Sequence, residues 1–207
     1  MIIIGASGHA KEILDFLNVK FKEIYFFDNV TTNITNKLFN IYPIINSFDE
    51  VQNIFKKDPN FVIGIGNPAF RMLLYEKFIS LGGTPCSAIA DTAIISKYSE
   101  LGKGLNIMQR ALISSEVKIE DGVLVNAGAF IHHNVELGKF CEISPGAVIT
   151  GGIKVGSCTS IGSCTVVIPK IIIGSNSIIG AGSVVIRNVP DNELWAGNPA
   201  KFIKKVL

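Results

Sequence analysis

Every sixth residue from Ile89 to Val185 is Ile, Leu or Val, seventeen positions in a row without an insertion. An amphipathic helix cannot keep that period, because it needs apolar residues three and four apart. A fixed short repeat instead demands a solenoid, in which each unit buries its apolar side chain against its neighbours. Four positions after each aliphatic residue stands a small or apolar one, as at Ala93, Ser99, Leu105, Ala111, Thr159, Thr165, Ser177 and Ser183. Glycine often follows the aliphatic residue directly, as at Gly102, Gly138, Gly156, Gly162, Gly174 and Gly180. Three hexads make one triangular turn, so residues 18 apart stack at the spacing of paired strands, about 4.8 Å. Seventeen hexads predict nearly six turns and a prism roughly 27 Å tall.

Residues 1–86 follow a different rule. Ile2-Ile3-Ile4 reads as a buried strand ending at Gly5-Ala6-Ser7-Gly8-His9. A helix follows, with Ala10, Ile13, Leu14 and Leu17 on one face and Lys11, Glu12, Asp15 and Asn18 on the other. Ile24–Phe27 is a second strand, ending at Asp28-Asn29, and Phe61–Ile65 a third, ending at Gly66-Asn67-Pro68 before a helix to about Leu81. Strands alternating with helices predict a small parallel sheet of Rossmann type, with ligands at the carboxyl ends of the strands. Gly5 and Gly8 leave backbone N–H groups free at a helix start, where the dipole favours a phosphate. The middle glycine of a dinucleotide fingerprint is missing, so the loop equally suits a plain strand–helix turn. Asp28 has the chemistry to accept from a ribose hydroxyl or a base N–H, and Arg71 sits either toward a phosphate or on the surface.

Composition narrows the function. A net charge of +2 and 17% charged residues imply no strong field for nucleic acid. No run reaches 18 apolar residues, so no membrane partner is expected, and Met1–Gly5 lacks a basic leader, so a cytoplasmic location is. Cys86, Cys141, Cys158 and Cys164 form no CxxC and no Cys/His cluster, so no metal and no disulfide are expected. Cys141 falls on a small-residue position and reads as core filler.

The chemistry falls where the coil's monotony breaks, at His132-His133-Asn134. In steps of 18, the corner carrying His133 reads Ser115, His133, Gly151, Pro169, Arg187. A histidine with bare backbone one rung away pairs a general base with an N–H donor, and leaves room for a carbonyl, as acyl transfer requires. The second corner, Ala127, Pro145, Ser163 and Ala181, is small and uncharged and suits a thin pantetheine arm. The third, Lys103, Asp121, Lys139, Ser157 and Ser175, is expected to face solvent.

Ile4-Gly5-Ala6-Ser7-Gly8-His9-Ala10, Phe27-Asp28-Asn29, Ile65-Gly66-Asn67, Ile131-His132-His133-Asn134 and Ala196-Gly197-Asn198-Pro199-Ala200-Lys201 together resemble the bacterial sugar acetyltransferases of the PglD/NeuD type. The resemblance implies an α/β Rossmann-like domain over 1–86 that binds a nucleotide-linked (UDP or dTDP) amino sugar. It implies that 87–207 is a left-handed parallel β-helix of the hexapeptide-repeat acyltransferases, with a C-terminal cap. It further implies a homotrimer with acetyl-CoA between adjacent coils, feeding surface-glycan biosynthesis. His133 then matches the catalytic base, and the Gly151 N–H meets the thioester carbonyl. Ser163 and Ala181, with Pro199 and Lys201 of the closing segment, border the coenzyme. Gly5, Ser7, Gly8, His9, Asp28, Asn29, Gly66 and Asn67 match the substrate loops. The family's acidic residue after the histidine is Asn134 here, able to fix a tautomer without adding charge. Glu142, where some relatives carry a second histidine, is a candidate for the missing carboxylate.

The expected reaction is direct acetyl transfer to the sugar amine, with no acetyl-enzyme. The alternatives are O-acetylation of a sialic-acid-type hydroxyl, a γ-type carbonic anhydrase, which needs three histidines around zinc, and a scaffold without activity.

Overall fold

The computed structural model describes residues 1–17, 23–31 and 36–206, and Asn18 of the first helix lies outside them. The chain opens with β1 (Ile2–Ile4), α1 (Gly8–Phe16), β2 (Tyr25–Phe27), β3 (Lys37–Leu38), β4 (Tyr42–Ile45), α2 (Phe48–Phe55), β5 (Asn60–Ile63), α3 (Pro68–Ser80) and β6 (Thr84–Pro85). These strands form one sheet in the order β3-β4-β2-β1-β5-β6, parallel except for β3 against β4. The isoleucines of β1 are wholly buried, as a central parallel strand covered on both faces must be. Ile24 and Ile65 fall just outside their strands. The sheet has six strands where the sequence announces three. The added α2 starts at a capping box, in which Ser47 Oγ accepts from Glu50 N and the Glu50 carboxylate accepts from Ser47 N.

From β7 (Ala88–Ile89) to β23 (Val184–Val185) the chain makes seventeen two-residue strands, one every six residues. Each pairs in parallel with the strand 18 residues away, as in Phe130↔Val148 and Ile131↔Ile149. Three stacked sheets result, making a three-sided parallel β-helix. The second residue of each strand points to the axis, and these side chains join one continuous core with the small positions between them. Ile89 and Leu101 are exceptions, 40% and 38% exposed, because no earlier turn covers the open first end. At the far end β24 (Glu193–Ala196) and β25 (Lys201–Lys205) extend one of the sheets.

Each corner turns on one residue in the left-handed region, every sixth position from Gly104 to Gly182, with φ between 54° and 71°. Eight of these are not glycine, among them Glu116, Asn134, Phe140 and Cys158. A Cβ is strained there, so the ladder above and below must hold the backbone in place.

The first residue of each strand points outward and distinguishes the three faces. One face carries Ala88, Asn106, Leu124, Glu142, Ser160 and Ile178. The next carries Ile94, Leu112, Phe130, Val148, Val166 and Val184, all apolar. The last carries Glu100, Lys118, Glu136, Lys154 and Ile172. The N-terminal sheet packs on the first, hereafter the head face, where Ala88, Met108 and Leu124 join a core with Ile3, Ala10, Ile13 and Phe26.

α3 also covers the corner between the head face and the charged face. Tyr75 meets Phe140 edge-on at 5.2 Å, and Cys158 Sγ lies 3.9 Å from Met72 Sδ. At the corner of Lys103, Asp121, Lys139, Ser157 and Ser175, expected to face solvent, the two lysines are exposed, while Asp121, Ser157 and Ser175 are half-buried and the head docks alongside. The contact is made by the left-handed residues beside them, Phe140 and Cys158.

Candidate active site

His133 stands at the corner between the apolar and charged faces, opposite the face that the head covers. Its exposed imidazole lies over Gly151 on the next rung. A Cβ on Gly151 would come within 2.5 Å of His133 Cε1 and 2.7 Å of Nε2, so a side chain there would displace the ring. The space above Gly151 that the sequence offered to a carbonyl is thus filled by the imidazole itself. The ladder bonds are made on either side, by Thr150 N to Val167 O and Gly152 N to His133 O. The N–H of Gly151 is not one of them.

His133 Nδ1 lies 2.8 Å from Asn134 Oδ1. Asn134 Nδ2 in turn donates to Glu116 Oε2 at 2.5 Å. Glu116 is the stacking partner of Asn134, exactly one turn of the coil earlier, and the ruler of 18 that found Gly151 finds it too. Glu142, offered as the carboxylate for His133, stands instead on the head face, in register with Leu124 and Ser160. Burial raises its carboxyl, opposed by Ser144, Arg71 and Ser160.

Ser163 and Ala181 stack at the corner between the apolar face and the head face. The closing segment docks beside them, since Gly197 N donates to Ser183 Oγ and Ala200 N to Val184 O. Pro199 and Lys201 are both exposed there. Within one chain this corner and the His133 corner lie at opposite edges of the apolar face.

The loops of the N-terminal sheet converge where expected, at the ends of β1, β2 and β5. Gly5 has φ +97°, and a Cβ there would press on Gly64 O at 3.0 Å. Gly8 and Gly66 border open space. Ser7 precedes α1 without a side-chain cap bond. Asp28 accepts from the Val30 and Thr31 amides and the Thr31 hydroxyl, while Asn29 beside it is exposed. Burial works against ionising Asp28, but these bonds and one from Ala6 hold its carboxyl below the usual range. Asn67 Oδ1 caps α3 by accepting from Phe70 N at 3.2 Å. The side chains of Asp28 and Asn67 therefore shape their loops.

His9 and Arg71 have different surroundings from those the sequence suggested. His9 Nε2 lies 3.0 Å from Asn106 Nδ2 on the head face. Burial, with Arg71 nearby, brings the His9 imidazole down to about 4, so the neutral ring accepts from the amide. Arg71 is neither on the surface nor free for a phosphate: it is fully buried. Its guanidinium donates to Gly122 O of the coil and to Ile65 O of the loop after β5, at 3.1 and 2.8 Å. It fastens the loop after β5 to the coil.

The thiol of Cys141 is buried, donates to Gly156 O and is pushed up to about 12 by burial. Among the described residues no three His, Cys, Asp or Glu side chains are grouped to hold a metal ion. None of the described helices is long and apolar enough to cross a membrane.

Residues 1–78 match the PglD N-terminal domain, and residues 116–151 the bacterial transferase hexapeptide of six repeats. No curated protein matches the sequence. Among solved structures, perosamine N-acetyltransferase from Caulobacter crescentus, in a histidine-to-asparagine form with CoA and GDP-perosamine, superposes with a TM-score of 0.90. The identity is 28%, over 99% of this chain and 96% of that one. The acetyltransferase domain of PglB from Neisseria gonorrhoeae FA1090, in complex with acetyl coenzyme A, gives 0.90 at 29% identity over 98% of each chain. WeeI from Acinetobacter baumannii AYE gives 0.88 at 25% identity, again over 98% of each.

Proposed function

We propose that this chain, an acetyl-CoA-dependent hexapeptide-repeat acetyltransferase of the PglD/NeuD type, acetylates the amino group of a nucleotide-linked amino sugar. The observation that carries the reading is the His133 imidazole seated on Gly151, with Nδ1 held by Asn134 and Nε2 left for chemistry. The sugar nitrogen attacks the thioester carbonyl as His133 Nε2 takes its proton. The Gly151 N–H donates to the developing oxyanion. The C–S bond then breaks and CoA leaves as a thiolate, so no acetyl-enzyme forms. With its proton held by burial, Cys141 is no rival nucleophile.

A homotrimer completes the site. Six consecutive turns present an apolar outward column, from Ile94 to Val184, and a monomer would leave this stripe in water. A neighbouring copy packed on that face brings its Ser163, Ala181, Pro199 and Lys201 toward His133, with the pantetheine arm between. The N-terminal loops take the nucleotide sugar. Ser7 and Gly8 offer backbone N–H groups at the start of α1 to the diphosphate, whereas the Gly5 N–H, expected to be free, donates to Phe27 O at 2.7 Å and Gly5 serves the turn instead. Asn29, Gly66 and Asn67 border the same opening, while Asp28 and His9 hold the loops in shape. A UDP or dTDP sugar is the expected substrate, and the product feeds assembly of a surface glycan in the cytoplasm, where acetyl-CoA is made.

Release of CoA thiol, followed with UDP-, dTDP- and GDP-linked amino sugars and with free sialic acid, tests the reading. An amino sugar nucleotide supports turnover, and His133→Ala lowers kcat by about 100-fold or more while the fold persists. Full activity in His133→Ala, or turnover with sialic acid alone, would overturn it.

A further inference from the structure

We propose that Glu116 is a positioning residue for the transfer, fixing the polarity of the Asn134 amide and through it the working tautomer of His133. The proposal rests on the reading of His133 as the base. Glu116 and Asn134 both occupy the left-handed corner position, with φ of 59° and 58°, one turn apart. Stacking therefore brings their side chains together, and Asn134 Nδ2 donates to Glu116 Oε2. On the other side Asn134 Oδ1 faces His133 Nδ1 at 2.8 Å.

Donor and acceptor chemistry does the rest. An ionised carboxylate only accepts, so the amide must turn its NH2 to Glu116 and its oxygen to the histidine. That oxygen also only accepts, so the imidazole proton must sit on Nδ1. Nε2, at the end of the ring over Gly151, keeps its lone pair and can take the proton of the sugar amine. With the amide reversed, its NH2 would face Nδ1 and the ring proton would move to Nε2, where no second proton can be accepted. Asn134 alone has no preference between these two chains. Glu116 supplies it. The neighbouring Lys118 is engaged elsewhere, with Glu100 at 3.4 Å.

The substitution Glu116→Lys inverts the polarity, because an ammonium only donates. The fold tolerates it, as Lys170 already occupies a left-handed corner at φ 64°. Long-range 1H–15N correlation of the His133 ring in the intact protein reads the tautomer, and CoA release reads kcat and KM. The proton is expected on Nδ1 in the unaltered protein and on Nε2 in Glu116→Lys. There kcat falls about 100-fold while KM for acetyl-CoA stays within about twofold. Glu116→Gln, which can point either way, gives a mixture of tautomers and an intermediate kcat. Adding Asn134→Asp to Glu116→Gln restores an acceptor at Nδ1 and returns kcat to within about threefold of the unaltered protein. A Glu116→Lys protein that keeps the proton on Nδ1, whatever its kcat, overturns the proposal. The His133→Ala control separates the two readings. If it stays active, the base assignment itself falls. If it is inactive beside a fully active Glu116→Lys, only the role of Glu116 falls.

Discussion

Two faces of the coil share the same interior and differ only in the residue that points outward. On one, Ile94, Leu112, Phe130, Val148, Val166 and Val184 form an unbroken apolar column. On the other, Glu100 pairs with Lys118 at 3.4 Å and Glu136 with Lys154 at 3.0 Å. The inward register makes the fold and is the same for both. The outward register decides what can dock: one face offers an apolar stripe, and the other a ladder of charged pairs that suits water. His133 stands at the edge where the two meet, beside the apolar column that the proposed trimer would cover and in reach of solvent. The third face teaches the same lesson inside one chain, since its column of Ala88, Asn106 and Leu124 is covered by the head.

Substitutions graded along this contrast test it. Val148→Arg puts a charge in the middle of the apolar column. It is expected to give monomers by light scattering and to lower acetyl transfer at least 100-fold, since His133 loses the neighbour that completes its cleft. A trimer of full activity would break the contrast. On the head face Arg71→Ala leaves Gly122 O and Ile65 O without their donor. Its cost is about 2–4 kcal/mol in a denaturant melt, with the N-terminal sheet loosening from the coil. A change under about 1 kcal/mol would show that the apolar contacts alone hold the head.

The same seam carries a pH dependence with a defined sign. Folded His9 takes a proton only near pH 4, whereas the unfolded chain takes one near 6.5. Between these values the unfolded state binds more protons, so stability is whole above about pH 6.5 and falls as the pH drops toward 4. The slope is about 1.4 kcal/mol per pH unit at most, read from melts at pH 7 and pH 5, and His9→Asn flattens it. On the charged face Lys118→Ala removes only an exposed pair and should change stability by less than about 0.5 kcal/mol, leaving the trimer intact. An effect on assembly there would mean that the charged face, too, meets a partner.

The coil was legible because its short period is sustained over seventeen hexads without an insertion. The same count of 18 also separates the apolar column from the charged one, and places Glu116 beneath Asn134. Glu116 lies 18 residues before Asn134, on the side of the coil away from Gly152, whereas Glu142, the carboxylate that the sequence suggests, falls on the head face. The head was less legible. Its β3 and β6 are two residues long and leave no periodic trace, and β4 carries Pro43. The one local signal for α2 is the capping box of Ser47 and Glu50, which marks a helix start but not the sheet it packs on. What docks on the corner of Phe140 and Cys158 was beyond reach, because it depends on where Met72 and Tyr75 of α3 lie against residues of the coil far along the chain. Arg71 looks like any helix arginine until Gly122 O is placed beside it.

The central claim is that the cleft is shared, with His133 from one chain and the corner of Ala181 from the next. Co-expressing His133→Ala chains with Ala181→Trp chains, each inactive alone, measures this directly. In a trimer with both kinds, one cleft joins an intact His133 to an intact Ala181 corner, so random mixing restores about a quarter of the unaltered activity. Mixed trimers as inactive as either parent would contradict the account.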